Sequence, residues 1–181
     1  MVETARTSYP DLEFRVADCS APFSPPLPQK FDIIFASWFL NYASSSQQLT
    51  KMFKVIEQNL AEGGKFAGIT SNGHDELMHV PMKDFNGFDT TTLDPAYKDP
   101  ETGEVLGVKV RITAHTEPKV EFEVYQFRAE IYERCAKEAG LTIGWKDGVI
   151  PEAERREREK GFWELWVQRP TFVGVQAWKS E

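Results

Sequence analysis

"FDIIFASWFLNYASSSQQLTKMFKVIEQNLAEGGKFAGIT", residues 31–70, is the stretch whose reading decides the fold. Residues 31–35 are apolar apart from Asp32 and lack clean alternation, the pattern of a strand buried on both faces of a parallel sheet. Ser44, Ser45 and Ser46 offer N-cap hydroxyls, and Leu49, Met52, Phe53, Ile56 and Leu60 recur at helical spacing. Gly63 and Gly64 are expected to stop that helix, and "KFAGIT" then reads as a second buried strand. Strand, helix and strand in this compass make a βαβ unit with a right-handed crossover, so the core is α/β.

Outward from this unit the pattern changes. Between residues 71 and 97 the periodicity fails, with Gly, Asp, Asn and Pro among aromatics, which predicts a lid or an excursion from the sheet. "GVKVRITA" and "KVEFEVYQF" around "HTEP" then predict an antiparallel hairpin, with Val108, Val110 and Ile112 on one face of the first strand and Val120, Phe122 and Val124 on one face of the second. A helix over 129–139 turns Ile131, Tyr132 and Cys135 inward and stops at Gly140, and "LTIGWK" follows as a strand. "PEAERREREK" reads as a solvated helix with i,i+4 pairs Glu152–Arg156 and Glu154–Arg158, and "TFVGVQAW" as a last strand. On the N-terminal side, "CSAPFSPPLPQK" is a proline-rich loop. Before it, residues 12–16 read as a buried strand ending in Asp18, preceded by a turn at Pro10 and Asp11 and by the tail of a surface helix.

The chain of 181 residues is 41% hydrophobic, long enough for one domain with a sizeable core, and no repeat or linker divides it. A formal charge of -7 argues against nucleic acid or an anionic membrane surface as partner and favours a small molecule. Two distant cysteines, Cys19 and Cys135, suggest neither a disulfide framework nor a zinc site, and no metal is expected. No apolar run reaches the ~20 residues that cross a bilayer and no signal peptide opens the chain, so a reducing, cytoplasmic setting is expected. Composition says nothing of the oligomeric state.

Read together, "FRVADCSAP", "KFDIIFASWFLNYAS", "LTKMFKVIEQNLAEGGKFAGIT", "YERCAKEAGLTIGW" and "FWELWVQRPTFVGVQAW" resemble the class I S-adenosylmethionine-dependent methyltransferases that act on small molecules. The resemblance implies a Rossmann-like sheet of order 3-2-1-4-5-7-6. This chain is expected to supply its third to seventh strands as a single domain over 1–181, with the lid and hairpin inserted over 71–127. It also implies that Met1 falls partway along the helix after the second strand. The first strand, its glycine-rich turn and the second strand with its ribose-binding acid are then missing, and no G-x-G-x-G is found in the sequence. S-adenosylmethionine is the implied cofactor, and a methyl transfer impaired by that loss is the implied activity. The alternative is a non-catalytic remnant acting as a structural or interaction module.

Carried onto this sequence, the resemblance places Asp18 and Cys19 at the adenine, against the plain reading of Asp18 as a loop cap. It places Ala36, Ser37 and Trp38, at the carboxyl end of a central strand, along the methionine portion of the cofactor. Phe39, Tyr42 and Tyr125 would line the acceptor cavity, and Asn41 would orient acceptor or sulfonium; core packing or helix capping are the plainer alternatives. His74 with Asp75 would suit a general base near the end of the fifth strand, though a loop histidine is more often simply solvated. His115, at the hairpin turn, is read as inert. Trp163, Trp166 and Pro170 resemble the family's C-terminal tail and are read as core. No catalytic residue is named, because an in-line displacement at a methyl group asks the protein mainly for proximity and orientation.

Overall fold

The computed structural model describes residues 2–24, 26–158 and 161–180. Its centre is a four-stranded sheet of order β1-β2-β8-β7, made of β1 (Phe31–Ser37), β2 (Leu60–Ser71), β7 (Leu141–Lys146) and β8 (Phe172–Lys179). β1 and β2 are parallel and joined by α2 (Ser46–Asn59), the expected βαβ unit, whereas β8 runs antiparallel to both β2 and β7. Both α2 and α3 (Ala129–Glu138) lie on one face. Leu49, Phe53 and Ile56 of the first, and Ile131, Tyr132 and Cys135 of the second, join Phe66, Val175 and Ala177 of the sheet in the main core. Each large side chain sealed there contributes about 2 kcal/mol from area alone, so this face supplies most of the cohesion of the domain.

Ser45 caps α2, accepting the Gln48 amide at 3.1 Å, while the Gln48 side chain returns to accept the Ser44 amide at 2.8 Å. The helix ends at Asn59, four residues before the predicted glycine stop, and β2 begins at once. Gly63, at φ 72°, instead forms a bulge that shifts the β1–β2 register between Phe31 and Ile33. A second glycine is fixed by crowding: a Cβ on Gly73 would lie 2.5 Å from the Ala129 amide nitrogen, where the loop after β2 meets the start of α3.

Residues 71–127 hold more order than a lid and hairpin. After a short loop come β3 (Met82–Phe85), β4 (Phe88–Lys98), β5 (Val105–Ala114) and β6 (Val120–Phe127), a second, fully antiparallel sheet in that order. β5 and β6 pair as predicted, Val110 opposite Val124 and Ile112 opposite Phe122. β3 and β4 escape the sequence reading because "FDTTTLDPAYK" carries threonine where aliphatics would signal a strand, and register shifts around Asp94 and Tyr97 break its alternation.

Two further expectations are corrected. Residues 12–16 form no strand; they are unpaired, with Leu12 and Val16 exposed. A strand exists only through a neighbour, and β1, the nearest sheet edge in the implied order, pairs with β2 alone. Nor is β1 buried on both faces: Ile34 and Ala36 pack on the core, while Ile33 and Phe35 are 73% and 66% exposed. Among the described residues the helices α2 and α3 cover only one side of the sheet. The charged segment forms α4 (Glu152–Glu157) with both predicted ion pairs, Glu159 and Lys160 lying outside the described residues, as does Pro25 of the proline-rich loop. Short helices α1 (Val2–Ser8) and α5 (Glu164–Gln168) complete the chain. No described helix is long and apolar enough to cross a membrane.

Candidate functional site

At the carboxyl end of β1 the backbone turns sharply. Trp38 adopts φ 59°, a left-handed conformation that costs a non-glycine residue about 1–2 kcal/mol. Its amide donates to the Ile69 carbonyl at 2.9 Å, and its ring stands edge-on to Phe172 at 5.8 Å. The turn ends β1 and leaves the indole 45% exposed above the strand ends, where open α/β sheets bind ligands. Backbone strain held by surrounding structure at such a place is a mark of function.

The next residues make a 3-10 turn, Leu40–Tyr42. Its middle residue, Asn41, is buried. Its Nδ2 donates to Ser71 Oγ at 3.0 Å and to the Tyr125 carbonyl at 3.3 Å, and its Oδ1 accepts from Thr70 Oγ1 at 2.9 Å. Asn41 therefore locks the turn to the end of β2 and to β6. Of its flanking residues, Tyr42 is exposed and Phe39 is half-buried against the main core. They line a cleft of about 360 Å³ with Gln48 and Met52 of α2 and, from the N-terminal segment, Asp18 and Cys19.

The cleft thus brings together Asp18, Cys19, Phe39 and Tyr42, four predicted site residues far apart in sequence, beside the strand end carrying Ala36, Ser37 and Trp38. Asp18 is exposed, and its Oδ1 accepts from Ser20 Oγ at 2.7 Å and the Ser20 amide at 2.9 Å, which hold its carboxyl below the ordinary value. This is the capping geometry of the plain reading, yet it also fixes the carboxylate at the cleft. Burial, then the neighbouring Asp18 charge, push the Cys19 thiol up, so it stays protonated at neutral pH and is no nucleophile.

The second sheet is fastened over this region by two contacts the sequence reading missed. Tyr97 Oη donates to the Ser44 carbonyl at 2.8 Å, and Asp99 Oδ2 accepts from Ser46 Oγ at 2.6 Å and the Ser46 amide at 2.9 Å. Burial, with Tyr125 beside it, pushes the Tyr97 phenol up to about 12. Tyr125 packs against Tyr97 at 4.8 Å and accepts from Asn41 through its carbonyl, so it stands between the turn and the second sheet. The signal for Asp99 was the turn "DPETGE", whose Asp precedes a Pro and caps the loop; its partners on α2 were not readable.

His74 lies elsewhere. It stands edge-on to Trp145 at 5.3 Å and lines a separate cleft of about 320 Å³ with His79, Val108 and Arg128. Its sequence neighbour Asp75 is taken by Arg169, whose Nε donates to Asp75 Oδ2 at 2.9 Å, and by the Leu77 amide on Oδ1. Asp75 lines the same cleft as His74, but its carboxylate is bonded to Arg169 and the Leu77 amide rather than to the imidazole. His115 sits between Asp84 and Asp89, its Nε2 3.2 Å from the latter, at the far tip of the second sheet. Trp166 is buried against Phe172, as a core residue. No cluster of His, Cys, Asp or Glu among the described residues is arranged to hold a metal ion.

No family model matches the sequence, and no curated protein matches it. Solved structures do match in fold. A S-adenosylmethionine-dependent methyltransferase from Clostridium acetobutylicum ATCC 824 is similar over 99% of this chain and 70% of its own, with a TM-score of 0.58 and 19% identity. The CcbJ methyltransferase from Streptomyces caelestis is similar over 99% of this chain and 71% of its own, with a TM-score of 0.59 and 11% identity. The fold is therefore the Rossmann-like fold of class I methyltransferases, and the order β1-β2-β8-β7 corresponds to its 4-5-7-6 side.

Proposed function

We propose that this chain carries a S-adenosylmethionine-dependent methyl-transfer site for a small molecule. The observation that carries the reading is the strained Trp38 turn at the carboxyl end of β1, opening beside a cleft with Asp18, Phe39 and Tyr42. The donor set suits such a cofactor. Asp18 offers a carboxylate to the adenine amino group, Ala36 to Trp38 offer backbone groups at a strand end, and aromatic faces at Trp38, Phe39 and Tyr42 favour a sulfonium charge. When bound, S-adenosylmethionine supplies an activated methyl group.

The residues themselves orient. Tyr97 and Cys19, both held protonated at neutral pH, do not take a proton from the acceptor, and His74 stands in the other cleft. The acceptor therefore brings its own lone pair, and the protein contributes proximity and a partly apolar wall. A second reading rests on one fact: none of the twelve glycines falls in a G-x-G arrangement. Without that close backbone approach to the cofactor, the chain on its own binds weakly or acts as a non-catalytic module.

Calorimetric titration with S-adenosylmethionine and S-adenosylhomocysteine tests this. Binding weaker than about 0.1 mM is expected, further weakened about tenfold by Trp38→Gly and by Asp18→Ala. Glycine relieves the left-handed strain at position 38, so Trp38→Gly is expected to lose affinity while changing stability by no more than about 1 kcal/mol. Absence of heat with either ligand at millimolar concentration would leave the non-catalytic reading standing.

A further inference from the structure

Every other arginine side chain that the structure describes meets a carboxylate, from Arg6 with Glu3 to Arg169 with Asp75, and Arg128 alone among the described residues does not. Its backbone is fixed. The Arg128 amide donates to the Leu106 carbonyl at 2.9 Å, the Arg128 carbonyl accepts from the Ile131 amide at 3.0 Å, and the Ala129 amide donates to the Gly73 carbonyl at 3.1 Å. These bonds tie together the loop after β2, the start of β5 and the start of α3, the walls of the cleft of about 320 Å³ that Arg128 lines. Glu76 and Glu130 line it as well, and neither makes an ion pair among the described residues. The other carboxylate in the lining, Asp75, is neutralised by Arg169 at 2.9 Å. Opposite charges that share one cleft without meeting leave room between them for a molecule that carries both.

We propose that this cleft binds a small amino carboxylate, its carboxylate on the Arg128 guanidinium and its ammonium on Glu76 and Glu130. A guanidinium presents two parallel N–H groups to a carboxylate, a charge-assisted pairing with directional preference. His74 and His79 line the same cleft, and an imidazole offers an N–H to an oxyanion in either tautomer. Both are set in place, His79 by Thr92 Oγ1 donating to its carbonyl at 2.8 Å and His74 by the edge-on Trp145 ring at 5.3 Å. Pro95 and Val108 add apolar surface for the carbon chain between the two charges. The two glutamates select against a phosphate, whose second negative charge they repel. The site does not rest on the methyl-transfer reading, since no residue lines both clefts.

The test is amide NMR of the full labelled chain, without cofactor, titrated with glycine, β-alanine and 4-aminobutyrate, and separately with acetate, methylamine and inorganic phosphate. Saturable shifts at residues 73–79 and 128–130 are expected with at least one amino carboxylate, at a dissociation constant of about 1–10 mM. Acetate and methylamine, each carrying half of the recognised groups, and phosphate are expected to bind at least about tenfold more weakly. Arg128→Gln is expected to weaken the amino carboxylate at least about tenfold, and Glu76→Gln/Glu130→Gln to bring it down to the level of acetate. Lys137→Gln, on α3 outside the cleft, is expected to change nothing. The altered side chains are exposed, and the amide spectrum of each variant confirms its fold. No saturable shift with any amino carboxylate at about 100 mM would overturn the proposal. So would binding unchanged by Arg128→Gln, or acetate or phosphate binding as tightly as the amino carboxylates.

Discussion

Asp99→Ala is expected to lower the unfolding free energy by about 2 kcal/mol, because it leaves the half-buried Ser46 hydroxyl and amide without their acceptor rather than merely deleting a contact. Asp99 is 2% exposed; its Oδ2 takes the Ser46 side chain and amide, and its Oδ1 takes the amides of Glu101 and, at 3.3 Å, Thr102. The same loop makes a second link to a helix, the bidentate Arg134–Glu104 pair at 2.8 and 2.6 Å. Those side chains are about 40% exposed, and pairs in that setting are worth about 1 kcal/mol or less, so Glu104→Gln is expected to change little. Urea unfolding of the two variants separates the cases. The pH dependence follows from direction. Burial pushes the Asp99 carboxyl up, but the hydrogen bonds from Ser46, Glu101 and Thr102 outweigh it and leave it below its ordinary value. Its contribution is therefore fully present above the unfolded carboxyl value of about 3.9 and is lost as pH falls through the lower folded value. The stability gap between wild type and Asp99→Asn is expected to be constant above about pH 5 and to shrink below about pH 4.

Asn41→Leu is the second substitution expected to cost heavily, about 2–3 kcal/mol, although it adds apolar volume. It removes the acceptor for Thr70 Oγ1 and the donor for Ser71 Oγ and the Tyr125 carbonyl, all at the junction of the turn, β2 and β6. Tyr132, fully buried with its hydroxyl 3.3 Å from Thr70 Oγ1, is the remaining member and offers Thr70 only a partial substitute. Because the turn positions Phe39 and Tyr42, loss of ligand affinity is expected to accompany loss of stability. Tyr42→Phe, outside the network, is expected to leave stability unchanged. Thermal unfolding beside ligand titration of both variants checks the coupling.

The parts of the fold legible in the sequence are those whose periodicity is set by burial on one side. Leu49, Met52, Phe53 and Ile56 declared α2, Ile131, Tyr132 and Cys135 declared α3, and the β-branched alternation declared β5 and β6. β4 was hidden because half-exposed threonines carry the strand, and the strand reading of residues 12–16 failed because pattern alone supplies no neighbour to pair with. In the candidate site, strand-end position brought Ala36, Ser37 and Trp38 into view, and Asp18 and Cys19 proved to share a cleft with Phe39 and Tyr42. Adjacency misled at His74 and Asp75: the partner of Asp75 is Arg169, 94 residues away, a choice made by tertiary packing.

In the proposed function a nucleoside sulfonium cofactor is read by the β1 end and the Asp18 loop. Two-dimensional amide NMR of the labelled chain titrated with S-adenosylhomocysteine tests it most directly, since it locates even weak binding. Saturable shifts confined to residues 17–20 and 36–42, with the Trp38 indole among them, are expected. Shifts gathered instead at the His74 and Arg128 cleft, or none at millimolar ligand, would contradict it.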